Sequence, residues 1–424
     1  MPEPSKPTEK IIVVYSGFRS SGTWFWSKLR ENEDLHCYYE IFHEWIGSIS
    51  QDDILKVKSS MWRSRHPVVS GYFTEYMPVI DGYGVPAFPA GDFRADRLMS
   101  PEGMDGDIEE DIEHYIQYLI SSAGNRGVRP VLYCTRMLGR AHAIRKRFPG
   151  FHILLVRNLF LRWNSYSGQH RSGNGYFLNT LYSTLSLKNI DPYIAYISSI
   201  FTAEEQSSTE VWISEQVYDR IFCYFVAINI YFIVKTKRHC DLVIDINKVC
   251  ADNSYRQKIE NIILEGAGVG VDLSDACDSI DYPKYHISSV KYCREILNDM
   301  VGRLGNIIKL SDEEANFVDE LLGNVWEEQK KFSFYTQSVA EVLIEQDVAL
   351  REELDRRELE HTSLRKNLAA LENEMLGVQH RALEEHTALQ AALAKERSGK
   401  AAMAKELLKL KRTLTTLLPV SDQN

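Results

Sequence analysis

The stretch Ile11–Leu29, IIVVYSGFRSSGTWFWSKL, constrains the fold of this chain more than any other segment. It begins with the β-branched run Ile11–Tyr15, passes through a loop of small residues and continues into the helix-like Thr23–Arg30. A strand that feeds a helix through such a loop leaves backbone N–H groups unsatisfied at the helix start. Those donors and the helix dipole attract an anion. Gly17 and Gly22 let the backbone turn sharply and come close to a ligand. Arg19 adds a fixed charge, and Ser20, Ser21 and Thr23 add hydroxyl donors. The loop Ser16–Trp24 is therefore read as an anion-binding loop.

Other segments extend the pattern. Val131–Cys134 (VLYC), His152–Val156 (HILLV) and Asp241–Ile246 (DLVIDI) read as buried strands, and the basic stretch Gly139–Phe148 reads as a helix. Continuous apolar strands separated by helices predict a parallel sheet covered on both faces, hence an α/β fold of three layers. The most apolar run, Ile221–Val234, has 14 residues. That is too short to span a bilayer, and it reads as a buried helix.

The C-terminal region is of another kind. All of the Trp, Tyr and Phe lie before residue 336, and the sequence then becomes Leu, Ala, Glu, Lys, Arg and Gln. In 4–3 spacing the seam runs Leu343, Asp347, Leu350, Leu354, Arg357, His361, Leu364, Leu368, Leu371, Met375, Val378, Ala382, Glu385 and Leu389. Ten of these 14 positions are apolar, which predicts a coiled-coil helix. Past Leu389 the seam weakens. It resumes, shifted by one residue, at Leu407, Leu410, Leu414 and Leu417, and Pro419 stops it. Such a stripe needs a partner, whether a second copy, another coiled coil or the chain's own domain. The expected division is a disordered 1–9, a globular 10–335, a coiled coil 337–418 and a tail 419–424.

A length of 424 residues suits one catalytic domain plus an appendage. The net charge of −10 argues against general nucleic-acid or anionic-membrane binding, so an anionic substrate needs a local basic site. The polar start MPEPSKPTEK carries no signal-peptide core. Seven cysteines without a Cys-x-x-Cys pair read as reduced thiols, and the expected location is cytoplasmic. No transmembrane segment is expected. The 12 His are scattered in sequence, so no metal centre is expected either.

Gly17 and Gly22 have the spacing of a nucleoside-triphosphatase loop, but Thr23-Trp24 stands where that motif has Lys-[Ser/Thr]. The lysine for the γ-phosphate and the hydroxyl for Mg²⁺ are missing. The segment Phe18-Arg19-Ser20-Ser21-Gly22-Thr23-Trp24 resembles instead the 5′-phosphosulfate loop of the sulfotransferases, roughly Pro-[Lys/Arg]-Ser-Gly-Thr-Thr-Trp. It has an extra serine before the glycine, one threonine fewer, and Phe in place of Pro. The family's 3′-phosphate motif, an Arg after a strand and a Ser eight residues later, is matched by Arg157 and Ser165 behind HILLV. Two such groups can hold a phosphate by charge-assisted bonds, and Arg162 lies between them as a third donor.

The resemblance implies a P-loop-like fold and 3′-phosphoadenosine 5′-phosphosulfate as donor. It implies that Arg19, Ser20, Ser21, Gly22, Thr23, Trp24, Arg157 and Ser165 bind that donor, with Arg19 on the transferred group. Arg136-Met137-Leu138-Gly139-Arg140 is similar to a segment of bacterial sulfotransferases, which makes Arg136 and Arg140 candidate substrate or donor contacts, and Glu44 is a further candidate substrate contact. Tyr39-Glu40-Ile41-Phe42-His43 resembles that group's Tyr-Glu-Pro-x-His segment. The candidate bases are Glu40, then His43, then Glu44. The bacterial resemblance also implies a saccharide acceptor. Two other readings stay open: a nucleotide-binding kinase, and an inactive scaffold that works through its coiled coil.

Overall fold

The computed structural model describes residues 11–57, 71–201, 214–277 and 284–417. The expectations for residues 1–9, for Pro419 and for the tail 419–424 lie outside these residues. Residues 61–70, part of the aromatic-rich sequence stretch 61–84, also lie outside them.

Five strands form one parallel sheet: β1 (Ile11–Ser16), β2 (Leu35–Tyr38), β3 (Arg129–Cys134), β4 (Gly150–Val156) and β5 (Leu242–Asp245), in the order β2-β3-β1-β4-β5. All six residues of β1 are buried, as the unbroken apolar run requires when both faces of a strand are covered. Val13 pairs with Leu132 on one side and His152 on the other. From β1 the chain moves to one side for β2 and β3, then crosses back for β4 and β5. The strand order reverses beside β1, and in open α/β sheets ligands bind at the carboxyl ends of the strands at such a point.

The helices that matter for the site are α1 (Gly22–Arg30), α2 (Glu110–Gly124), α3 (Ala141–Arg147), α4 (Leu159–Arg171), α5 (Tyr176–Ser183), α6 (Glu215–Lys237), α7 (Val290–Ile308) and α8 (Asp312–Leu417). Helix α4 follows β4 after two residues. Asn158 caps it, accepting from the N–H groups of Phe160 and Leu161 at 2.9 and 3.3 Å. This cap turns the chain so that Ser165 faces the loop after β1. The basic stretch after β3 opens with a 3₁₀ turn, Leu138–Arg140, before α3 begins.

Helix α6 has 23 residues, longer than the 14-residue run that marked it, because polar residues at both ends extend it. Its length and composition would suffice to cross a membrane, but 89% of its most apolar window is buried within the fold. It is the central core helix.

The chain divides into two compact units, Met1–Thr336 and Gln337–Asn424, one residue from the compositional break. Helix α8 is 106 residues long, and its first turns contribute Val318, Leu321 and Val325 to the core of the first unit. In the second unit the seam residues Leu350, Leu354, Leu364, Leu368, Leu371, Met375, Val378 and Leu389 are all more than half exposed. The side chains of Leu343, Asp347, Leu414 and Leu417 lie outside the described residues.

Candidate functional site

The candidate residues gather at the carboxyl ends of four neighbouring strands. β1 delivers Gly17–Ser21, β2 leads to Glu40 and Glu44, β3 to Thr135 and Arg136, and β4 to Arg157. Residues distant in sequence become neighbours because parallel strands all end on the same side.

The loop after β1 is held in an uncommon backbone state. Arg19 and Ser21 have φ of 64° and 61°, and no side chain caps the first turn of α1. The N–H groups of that turn are therefore the orphan donors of a helix start. Ser20 Oγ is buried and has no hydrogen-bond partner among the described residues. The two glycines are required by close approach. A Cβ on Gly22 would sit 1.9 Å from Tyr133 Oη, and one on Gly17 would sit 2.1 Å from an Arg162 nitrogen. The backbone thus lies directly on Tyr133 and Arg162, and Tyr133 Oη is fixed by Ser16 Oγ at 3.0 Å.

The two halves of the expected donor grip meet. Arg19 Nε donates to Ser165 Oγ at 2.7 Å, across 146 residues of sequence, and Arg157 donates to the Arg19 carbonyl at 3.2 Å. Thr23 Oγ1 lies 2.8 Å from Tyr39 Oη. Trp24 turns away from this centre and donates from Nε1 to Asp275 at 3.3 Å.

Arg162, read from sequence as a third phosphate donor, stands behind the loop instead. It is 1% exposed, donates from Nε to the Phe18 carbonyl at 3.1 Å, and bonds Asn229 Oδ1 at 2.9 Å. No carboxylate pairs with it among the described residues. Burial, with the nearby Arg157 adding to it, lowers its pKa to about 10. It is a buried cation that props the loop and adds positive potential under it.

A second cluster lies beside the loop. Glu40, with φ 51°, is buried. Its Oε2 accepts from Arg136 at 2.7 Å, from Thr135 Oγ1 at 2.9 Å, from Thr135 N at 3.3 Å and from Cys134 Sγ at 3.5 Å. All four donors reach the same oxygen, which leaves Oε1 as the unengaged atom of the carboxylate. Burial pushes this carboxyl up, and Arg136 and the Thr135 and Cys134 donors pull against that. Arg136 is 2% exposed and also donates to Glu44 Oε2 at 3.1 Å and to Tyr176 Oη. Its guanidinium stacks on Phe18, 5.2 Å from the ring centre. Burial alone would weaken its charge, and the opposing pull of Glu40 holds it firmly protonated.

Two candidate roles are corrected. His43 Nδ1 accepts from the Trp45 N–H at 3.1 Å, capping the turn Glu44–Gly47. Burial and then Arg136 hold its pKa down to about 3. The ring is a neutral cap whose accepting nitrogen is already used. Arg140, expected to meet substrate, is fully buried. It is held by the Glu109 carboxylate and by the Arg97 and Met99 carbonyls at 2.9 Å. It ties the segment before α2 to the turn after β3. Glu44 is 43% exposed, and the cations around it outweigh burial and keep its carboxyl below the ordinary value.

Sequence reading missed Phe18, Arg94, Tyr133 and Tyr176. Arg94 lies 3.8 Å from Glu44 and stacks on Tyr176. No spacing rule points to it, because it comes from an irregular segment between β2 and α2. Comparison with protein-family models, with curated proteins and with solved structures finds no match to this chain.

Proposed function

We propose that the chain is a sulfotransferase on a P-loop-like scaffold that uses 3′-phosphoadenosine 5′-phosphosulfate. The observation that carries this reading is the meeting of Arg19 with Ser165 and Arg157 at 2.7 and 3.2 Å. These contacts bring the two anion-binding motifs side by side, which supports one phosphate of the donor at each. The loop N–H groups, Ser20 and Thr23 hold the 5′-phosphate, and Arg157 and Ser165 hold the 3′-phosphate.

The acceptor oxygen attacks sulfur in line. A new S–O bond forms as the bond to the bridging oxygen breaks, and adenosine 3′,5′-bisphosphate leaves. Arg19 offsets the charge that develops on the bridging oxygen. The acceptor proton passes to Glu40 Oε1. A carboxyl pushed up by burial takes a proton more readily than the half-exposed, depressed Glu44. The Glu40 oxygen bound by Arg136 fixes the orientation of the other.

Calorimetry with adenosine 3′,5′-bisphosphate in Mg²⁺-free buffer tests the donor site, and radiolabelled donor with a panel of saccharide and other hydroxyl or amine acceptors tests transfer. Binding without Mg²⁺, followed by labelled product, supports the reading. Binding only of Mg²⁺-nucleoside triphosphate favours a kinase. Neither binding nor turnover leaves the scaffold reading. Glu40→Gln should lower kcat by about 10²- to 10⁴-fold with donor affinity retained, the range expected for loss of a general base.

A further inference from the structure

We propose a divalent transition-metal site formed by Asp105, His142 and His239, outside the proposed donor site. The three come from separate parts of the chain: the turn before α2, the first turn of α3, and the turn that follows α6. One ligand atom from each lies within 4.8 Å of the other two. Ligands around a tetrahedral ion with bonds of about 2.0–2.1 Å stand roughly 3.3 Å apart. The trio therefore closes on an ion by side-chain movement alone.

The two imidazoles lie edge to face with ring centres 4.9 Å apart. Neither ring nitrogen of either histidine is engaged in a hydrogen bond or ion pair among the described residues. Most histidines inside this fold behave otherwise. His152 is bonded by Tyr15 and the Phe148 carbonyl, and His43 caps a turn. Two half-buried imidazoles that leave their nitrogens unused, and face each other across a carboxylate, have the chemistry of ligands rather than of packing.

Asp105 is oriented from behind. Lys235, only 5% exposed, donates to its two oxygens at 2.5 Å each. Each carboxylate oxygen has a second lone pair, so Lys235 can stay on the carboxylate while an ion takes the outer side. This is the outer-shell support that ligating carboxylates commonly have. Two nitrogens and one oxygen favour Zn²⁺, Co²⁺ or Ni²⁺ over Mg²⁺ or Ca²⁺, which prefer all-oxygen shells. Three protein ligands leave the fourth position to water.

The test is Co²⁺ titration of the full chain, reduced and followed by visible absorption, with Zn²⁺ calorimetry in parallel. One equivalent should bind the wild-type chain. His142→Ala/His239→Ala should lose it, and Asp105→Asn should weaken it at least tenfold, with circular dichroism unchanged. No binding by the wild-type chain overturns the site. So does binding retained in the double variant, which would move it to Cys277 or to His380 and His386 of the coil. If the variants fail to fold, carbethoxylation mapped by mass spectrometry on the wild-type chain decides. Zn²⁺ should slow modification of His142 and His239 at least tenfold, and equal rates with and without Zn²⁺ overturn the proposal.

Discussion

Replacing Arg136 by Met separates the structural and chemical roles of the Glu40 cluster. The side chain keeps most of its length, but Glu40 loses the guanidinium 2.7 Å away while staying buried. Removing one partner of a buried ion pair costs about 3–5 kcal/mol, because the other charge is left uncompensated. Glu44 also loses a contact, but it is half exposed, so that loss adds little. For a globular unit of this size 1 kcal/mol shifts the melting temperature by roughly 1–2 °C, so the variant should melt about 3–10 °C lower at neutral pH.

The pH dependence identifies the cause. The Glu40 carboxyl is already raised in the folded chain, and losing Arg136 raises it further. A folded-state value above the unfolded one means that the native state binds the extra proton. Stability therefore falls as pH rises from the unfolded value, near 4.5, to the folded one. The melting deficit should be larger at pH 7.5 than at pH 5. Glu40→Gln/Arg136→Met should recover most of it, since no unpaired charge remains. The assay is thermal unfolding by circular dichroism at both pH values. An unchanged melting temperature, or a deficit that neither acid nor the double variant relieves, would refute the ion-pair account.

Three further outcomes are expected. Arg157→Ala should weaken adenosine 3′,5′-bisphosphate about 10- to 100-fold by calorimetry, the size of one charged hydrogen bond, and unchanged affinity would remove Arg157 from the donor site. Gly22→Ala should abolish donor binding, because its Cβ would meet Tyr133 Oη at 1.9 Å, and wild-type affinity in that variant would show that the loop is not held on Tyr133. The exposed seam of the second unit should pair with a second copy, so Leu364→Asp/Leu371→Asp should reduce the mass seen by light scattering to that of a monomer, whereas a wild-type chain that is already monomeric would refute self-association.

Much of the fold was legible because unbroken apolar runs mark strands buried on both faces. Ile11–Tyr15, Val131–Cys134 and His152–Val156 each lie within an observed strand. The loop and Arg157…Ser165 were legible for a related reason, since both follow such strands directly. What sequence could not separate was one buried arginine from another. Arg136 and Arg140 follow β3 and Arg162 follows β4, and only the partner that each meets assigns its place. Arg140 meets Glu109, Arg136 meets Glu40 and Glu44, and Arg162 meets a carbonyl and an amide. These partners lie up to 144 residues away, beyond any local spacing rule. The Asp105, His142 and His239 trio escaped notice for the same reason.

That difference in partners bears on how a chain with net charge −10 would attract the doubly phosphorylated donor proposed for it. Arg136 and Arg140 are neutralised by carboxylates and contribute little field. Arg162 is not, and the fold holds it at the cost of a pKa lowered to about 10. Its Nε bonds the Phe18 carbonyl, and Gly17 packs against the guanidinium, so its charge lies directly beneath the loop that presents Arg19. Water is excluded there, and low local polarity strengthens the attraction for an anion seated above. An uncompensated buried cation destabilises the empty protein, and an anion on the loop relieves that cost. The donor should therefore stabilise the fold by more than its surface contacts suggest. Arg162→Met should firm the ligand-free chain and weaken its grip on adenosine 3′,5′-bisphosphate at once. A variant that loses both stability and affinity would show instead that Arg162 acts only as a prop.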